Sequence, residues 1–179
     1  MKDAGEAMAG LARPMQHALN NLIMVVQANM DSVLASLPPE DRAAVRLSRA
    51  AQAMREIDTL ARGFLRLGRP EEAGETDSGK LVNGLRPLMA VAISRPVTIE
   101  VVATASVAPR RPALDLAMLG AMTGAKALPR NITATLRLEG LAMVLNWPLD
   151  PACLPDLAEA GITVAETTPE GARLLLPGG

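Results

Sequence analysis

The double proline Pro38-Pro39 separates two stretches whose apolar residues recur every three or four positions. Before it come Met8, Leu11, Met15, Leu22, Val26, Val33 and Leu37; after it come Leu47, Ala50, Met54, Ile57, Ala61 and Phe64. That period predicts two α-helices, each with one apolar stripe to bury, over about residues 4–36 and from the acids at 40 and 41 to about 67. Between them Ser36–Asp41 reads as a turn. Its prolines end the first helix, and Glu40 and Asp41 favour the positive end of the next. Two long helices joined this way make an antiparallel hairpin. A lone hairpin cannot cover both stripes, so a second copy is expected, giving a homodimer with a four-helix bundle. Arg46, Arg49, Arg55, Glu56, Asp58, Arg62 and Arg66 fall between the stripe positions and read as a solvated face.

Composition narrows the core. The 179 residues include no Tyr, one Phe (Phe64) and one Trp (Trp147), so Ala, Leu, Val and Met must fill the interior. Close-packed helices suit such residues better than a β-sandwich does. Phe64 and Trp147 are most simply core residues. Without aromatic platforms, and with a net charge of −1, nucleic acid is not an expected partner. Cys153 is the one cysteine and His17 the one histidine, which leaves neither a disulfide nor a soft-ligand metal site. Acids at Asp3 and Glu6 stand where a signal peptide needs an apolar core, and no apolar run reaches the roughly 18–20 residues of a membrane span. The expectation is a cytoplasmic protein with no membrane partner.

After a polar Gly-, Pro- and acid-containing segment, Gly68–Asp77, the pattern changes. Residues 78–93 suggest a helix, weakened by Gly84 and Pro87. Val97–Val102 alternates and is β-branched, predicting a strand. A helix over 112–128, a hairpin of Ile132–Leu138 and Leu141–Trp147, a short helix over Pro151–Ala160 and a closing hairpin of Ile162–Glu166 and Ala172–Leu176 follow. The expected class is α+β. A helical hairpin domain over 1–69 is followed by an α/β sandwich over 78–179 with an antiparallel-rich sheet.

Chemistry concentrates around His17. On a helix, Arg13, Asn20, Asn21 and Met24 stand four before, three after, four after and seven after it, hence on one face, opposite the first apolar stripe. Imidazoles ordinarily titrate near pH 6.5, so the neutral, nucleophilic form is abundant at neutral pH and can accept and release a phosphoryl group. Asn21 can donate an amide hydrogen bond to a phosphoryl oxygen or a water, and Arg13 a charge-assisted one. Pro14 lies three residues upstream. Either the helix begins with Pro14 in its first turn, or a longer helix kinks or restarts there at a cost of about 3 kcal/mol. A lone surface histidine is the plain alternative to a reactive one. In the second domain, Arg110-Arg111 reads as an exposed basic loop, with contact to an acidic partner as the sharper alternative.

The segment His17-Ala18-Leu19-Asn20-Asn21-Leu22 resembles the phosphoacceptor box of histidine kinases, and Arg49–Arg69 resembles the partner helix of the same dimerisation and phosphotransfer domain. Leu116–Leu128 is similar to the helix that carries the N-box of the kinase ATP-binding domain, and Ala160–Pro177 to that domain's closing hairpin. Three features depart from the kinase pattern. The helix at 114–128 has no asparagine for Mg²⁺; Trp147–Ile162 has no D-x-G-x-G and no glycine-rich lid; Ala18 replaces the usual acid after the histidine. All three bear on autophosphorylation from ATP. The combination resembles the ChpT-type histidine phosphotransferases of bacterial phosphorelays and, more distantly, the sporulation phosphotransferase B.

That resemblance implies a reduced histidine-kinase-ATPase-like second domain and a phosphotransferase that is not an autokinase. It implies His17 as phosphoacceptor, Asn21 beside it in the chemistry, and Arg13, Asn20 and Met24 at the partner contact. The implied partners are response-regulator receiver domains, with a hybrid histidine kinase as a further candidate. No cofactor is implied on this chain, because Mg²⁺ would sit on the receiver. A catalytically inert dimeric adaptor is the alternative, kept open by Ala18 and Pro14.

Overall fold

The computed structural model describes residues 4–69 and 72–179, with side chains from residue 10 onward. Met8 of the first stripe, the acids Asp3 and Glu6, and Pro70-Glu71 of the polar segment thus lie outside the described side chains. The chain is α+β and falls into two compact units, Met1–Arg69 and Pro70–Gly179.

The first unit is a helical hairpin, α1 (Ala4–Leu34) and α2 (Arg42–Leu67). Asp41 caps α2, its carboxylate accepting from the Ala43 N–H at 2.7 Å. Pro14 neither starts nor ends a helix; α1 runs through it. Buried Ala12 and half-buried Gln16 and Leu19 stand on either side of the proline in α1.

In the second unit, β1 (Glu72–Ala73) and β2 (Thr76–Asp77) arise within the polar segment and precede α3 (Ser78–Ile93). Then come β3 (Val97–Thr104), β4 (Ser106–Val107), β5 (Arg110–Arg111) and α4 (Ala113–Ala121), the last continued by a 3₁₀ stretch, Met122–Ala127. The chain closes with β6 (Ala134–Gly140), β7 (Ala142–Leu145), α5 (Leu154–Glu159), β8 (Thr163–Thr168) and β9 (Gly171–Leu175). The main sheet has the order β3-β6-β7-β9-β8; only β3 and β6 run parallel. Strands β1 and β2 pair separately with β5 and β4.

Helix α3 survives Pro87 because its inner face buries Leu81, Val82, Leu85, Met89 and Ile93. Each large side chain contributes about 1.5–3 kcal/mol on burial, against about 3 kcal/mol for one interior proline. Its cap Asp77 accepts from Lys80 N–H at 2.9 Å, and the Thr104 hydroxyl, with that N–H, holds its carboxyl below the usual carboxylate range. The cap is therefore complete above the ordinary value of 3.8 and is lost as pH falls through the lower folded value.

One face of the main sheet is apolar. Ala134, Leu136, Leu138, Met143, Leu145, Ala172 and Leu174 are buried in a single cluster with the inner residues of α3 and α4. The alternate positions Arg137, Glu139 and Arg173 form a half-exposed ion-pair ladder, with both arginines 3.2 Å from Glu139. Trp147 is fully buried, and its indole N–H donates to the Ala121 carbonyl at 3.0 Å. Beside it, a Cβ at Gly124 would sit 1.9 Å from the Pro148 carbonyl oxygen, so only glycine fits. Both edge strands, β3 and β8, carry register shifts that interrupt a straight edge.

Asp115, in the first turn of α4, is fully buried and takes a two-pronged contact from Arg111, with Nε 2.9 Å from Oδ1 and a terminal nitrogen 2.9 Å from Oδ2. Arg111 is thus a structural residue, which corrects its reading as a loop cation; Arg110 is the exposed one. Removing one partner of such a pair leaves the other uncompensated. Asp115→Ala should lower unfolding stability of the second unit by about 3–5 kcal/mol. Gly124→Ala should also unfold at lower temperature, the two read by Trp147 fluorescence during thermal melts.

Candidate functional site

The seam between α1 and α2 is lined by Ala12 and Ile23 on one side and Ala44 and Ala51 on the other, all buried, with half-buried Leu19, Met30, Leu47 and Met54 between them. Alanines let the helices approach closely. The predicted stripes divide: Leu47 and Met54 lie at the seam, whereas other members occupy the neighbouring flank. Leu11, Met15, Leu22 and Val33 of α1 are 49–65% exposed, and Ile57 and Phe64 of α2 are 52% and 58% exposed. Phe64 is therefore not a core residue of the single chain. At about 100° per residue, these flanks of the two antiparallel helices lie on the same side of the hairpin. The result is one continuous apolar strip.

His17 lies on the opposite side. Its imidazole is exposed and has no hydrogen-bond partner among the described residues. Arg13, Asn21 and Met24 are exposed on the same face, and Asn20 is half-buried at its margin. Helix periodicity brings all five predicted residues onto one face. No side-chain hydrogen bond joins them to one another, so the face is open rather than preassembled. Ala18, next to His17, is exposed and supplies no carboxylate.

A contact that spacing could not reveal lies at the edge of this face. The guanidinium of Arg69, two residues beyond the end of α2, donates to the side-chain oxygen of Gln16. Both residues are half-buried, and Gln16 immediately precedes His17. Positions 53 residues apart carry no local sequence signal.

Among the described residues no cluster of three or more His, Cys, Asp or Glu could hold a metal ion, and no helix is long and apolar enough to cross a membrane. Cys153 is buried, and burial, helped by the charge of Asp150, pushes its thiol up, away from the reactive thiolate.

No protein-family model matches the chain, and neither does any curated protein. Among solved structures, it is similar to one described as a bacterial phosphotransferase, with 18% identity, 97% of each chain covered and a TM-score of 0.45.

Proposed function

We propose that the chain is a histidine phosphotransferase of a bacterial phosphorelay, of the ChpT type, passing a phosphoryl group between receiver-domain aspartates through His17. The observation that carries this reading is the placement of His17. An unpartnered imidazole in the phosphoacceptor-like box stands with Arg13, Asn20, Asn21 and Met24 on the hairpin face turned away from an uncovered apolar strip.

In the proposed reaction a lone pair on the neutral imidazole attacks the phosphorus of a receiver acyl phosphate. A P–N bond forms as the acyl P–O bond breaks, and the aspartate leaves as carboxylate. The second receiver reverses these steps. The transition state is loose and spreads negative charge over three equatorial oxygens. Asn21 is placed one helical turn from His17 to donate to such an oxygen, and Arg13 one turn before it to add charge. Asn20 and Met24 border the surface that the receiver would cover. The acceptor aspartate and the Mg²⁺ belong to the receiver in this scheme, so the helical face need only present and orient the nucleophile.

The apolar strip fits a second copy of the same hairpin, which would complete a four-helix bundle and leave a His17 outward on each protomer. The second unit, with α3 and α4 against one face of a mixed sheet, fits a reduced kinase ATPase-like sandwich. Ala18 favours a second reading, a dimeric adaptor that binds a receiver or hybrid kinase without covalent chemistry, because no carboxylate stands beside the nucleophile.

Labelled phosphate from a panel of phosphorylated receivers should transfer to the wild type, giving acid-labile, base-stable label, and should not transfer to His17→Gln. Pull-down of a receiver without any label would favour the adaptor. Asn21→Ala should slow transfer by about tenfold or more, the equivalent of one hydrogen bond to a charged group at about 1.5–3 kcal/mol. The wild type should sediment as a dimer, and Ile57→Glu, which places a charge in the strip, should shift it to monomer; a wild-type monomer at micromolar concentration would refute the bundle.

A further inference from the structure

We propose that Arg69 is a positioning residue for His17, acting through Gln16; the inference rests on the phosphotransfer reading above. Its basis is the state of α1 just upstream of the histidine. Pro14 has no N–H, so the Gly10 carbonyl lacks its usual intrahelical donor, and the hydrogen-bond ladder has a gap within one turn of His17. A nucleophile that must meet phosphorus in line needs better control of direction than such a helix offers alone, since small misplacements cost large factors in rate.

The Arg69–Gln16 hydrogen bond supplies that control from outside α1. Gln16 is two residues past Pro14 and one before His17, so fixing its side chain to the far helix fixes the turn that presents the imidazole. Arg69 is itself held. Gly68 ends α2 with its N–H on the Leu65 carbonyl at 3.3 Å, and the Arg69 N–H donates to the Arg66 carbonyl at 3.1 Å. The guanidinium therefore starts from an anchored backbone and reaches across to α1. One nitrogen serves Gln16, and the planar fork has further donors. It also brings a permanent positive charge to the margin of the histidine face. There it would favour the negative charge spread over the phosphoryl oxygens in the transition state.

The two roles separate by substitution. Arg69→Met removes the hydrogen bond and the charge while keeping much of the stem; Arg69→Lys keeps the charge and a single donor; Gln16→Met removes the acceptor alone. Potassium phosphoramidate serves as the first donor because it needs no partner protein. The His17 nitrogen forms a bond to phosphorus as the P–N bond of phosphoramidate breaks, and ammonia leaves with the proton that the imidazole loses. As His17 is the sole histidine, ³¹P NMR of the full chain reads one site. The same variants are then compared with a phosphorylated receiver as donor.

The expected result is a fivefold or larger slowing of phosphohistidine formation in Arg69→Met and a smaller one in Gln16→Met. The double variant should be no slower than Arg69→Met, and Arg69→Lys should recover part of the rate at unchanged helix content. Rates equal to wild type in all three single variants, additive losses in the double variant, or no recovery by lysine would overturn the inference. A wild type that reacts with phosphoramidate but with no receiver would instead refute the phosphorelay reading. Rapid receiver transfer to Arg69→Met at the wild-type rate would sink the positioning role and leave that reading standing.

Discussion

Side-chain size is the constraint on which this structure depends. With almost no aromatic residues, the chain cannot fill wide gaps between elements, and it closes them by bringing backbones together. The hairpin does so through Ala12, Ala44 and Ala51. The second unit does so through Ala117, Ala121 and Ala125, and through Gly124 against the Pro148 carbonyl. Trp147 is the exception, a single large residue around which α4, its 3₁₀ extension and the end of β7 are arranged, with its one polar atom satisfied by Ala121.

Closeness at the seam has a consequence for the flanks. Where the helices meet closely through alanines, Leu11, Met15, Leu22, Ile57 and Phe64 are left on one side of the hairpin instead of between the helices. Apolar side chains massed in this way on an exposed surface mark a place where another surface belongs. Polar groups are left for the opposite side, where His17 stands. The separation of an exposed apolar flank from the polar face that carries His17 thus follows from which positions form the seam.

The long elements were legible in the sequence where apolar periodicity and end signals agree, as in α2 with Asp41 before it and in the hairpin of β6 and β7. The His17 face was legible for the same reason, since helical geometry alone aligns Arg13, Asn20, Asn21 and Met24 with it. What could not be read is what burial decides. The periodic stripe of α1 reads as the buried side, whereas Ala12, Leu19, Ile23 and Met30, one step round the helix, make the contact within the chain. Pro14 left the course of α1 open because its local cost competes with packing that only the tertiary structure supplies. Arg111 and Asp115 are four apart and could be paired on paper, but nothing in the spacing says that Asp115 is sealed from water. The polar segment before α3 gave no sign of strands, since two-residue pairings are too short to impose a period.

The lone indole also divides the molecule optically. Trp147 is buried in the second unit, and the chain has no tyrosine, so nearly all its near-ultraviolet absorbance and emission arise from one side chain in one half. The hairpin, with 31 residues in α1 and 26 in α2, contributes most of the helical backbone and almost none of that light. Far-ultraviolet dichroism and indole emission followed together therefore monitor the two halves separately, without a label and without cutting the chain.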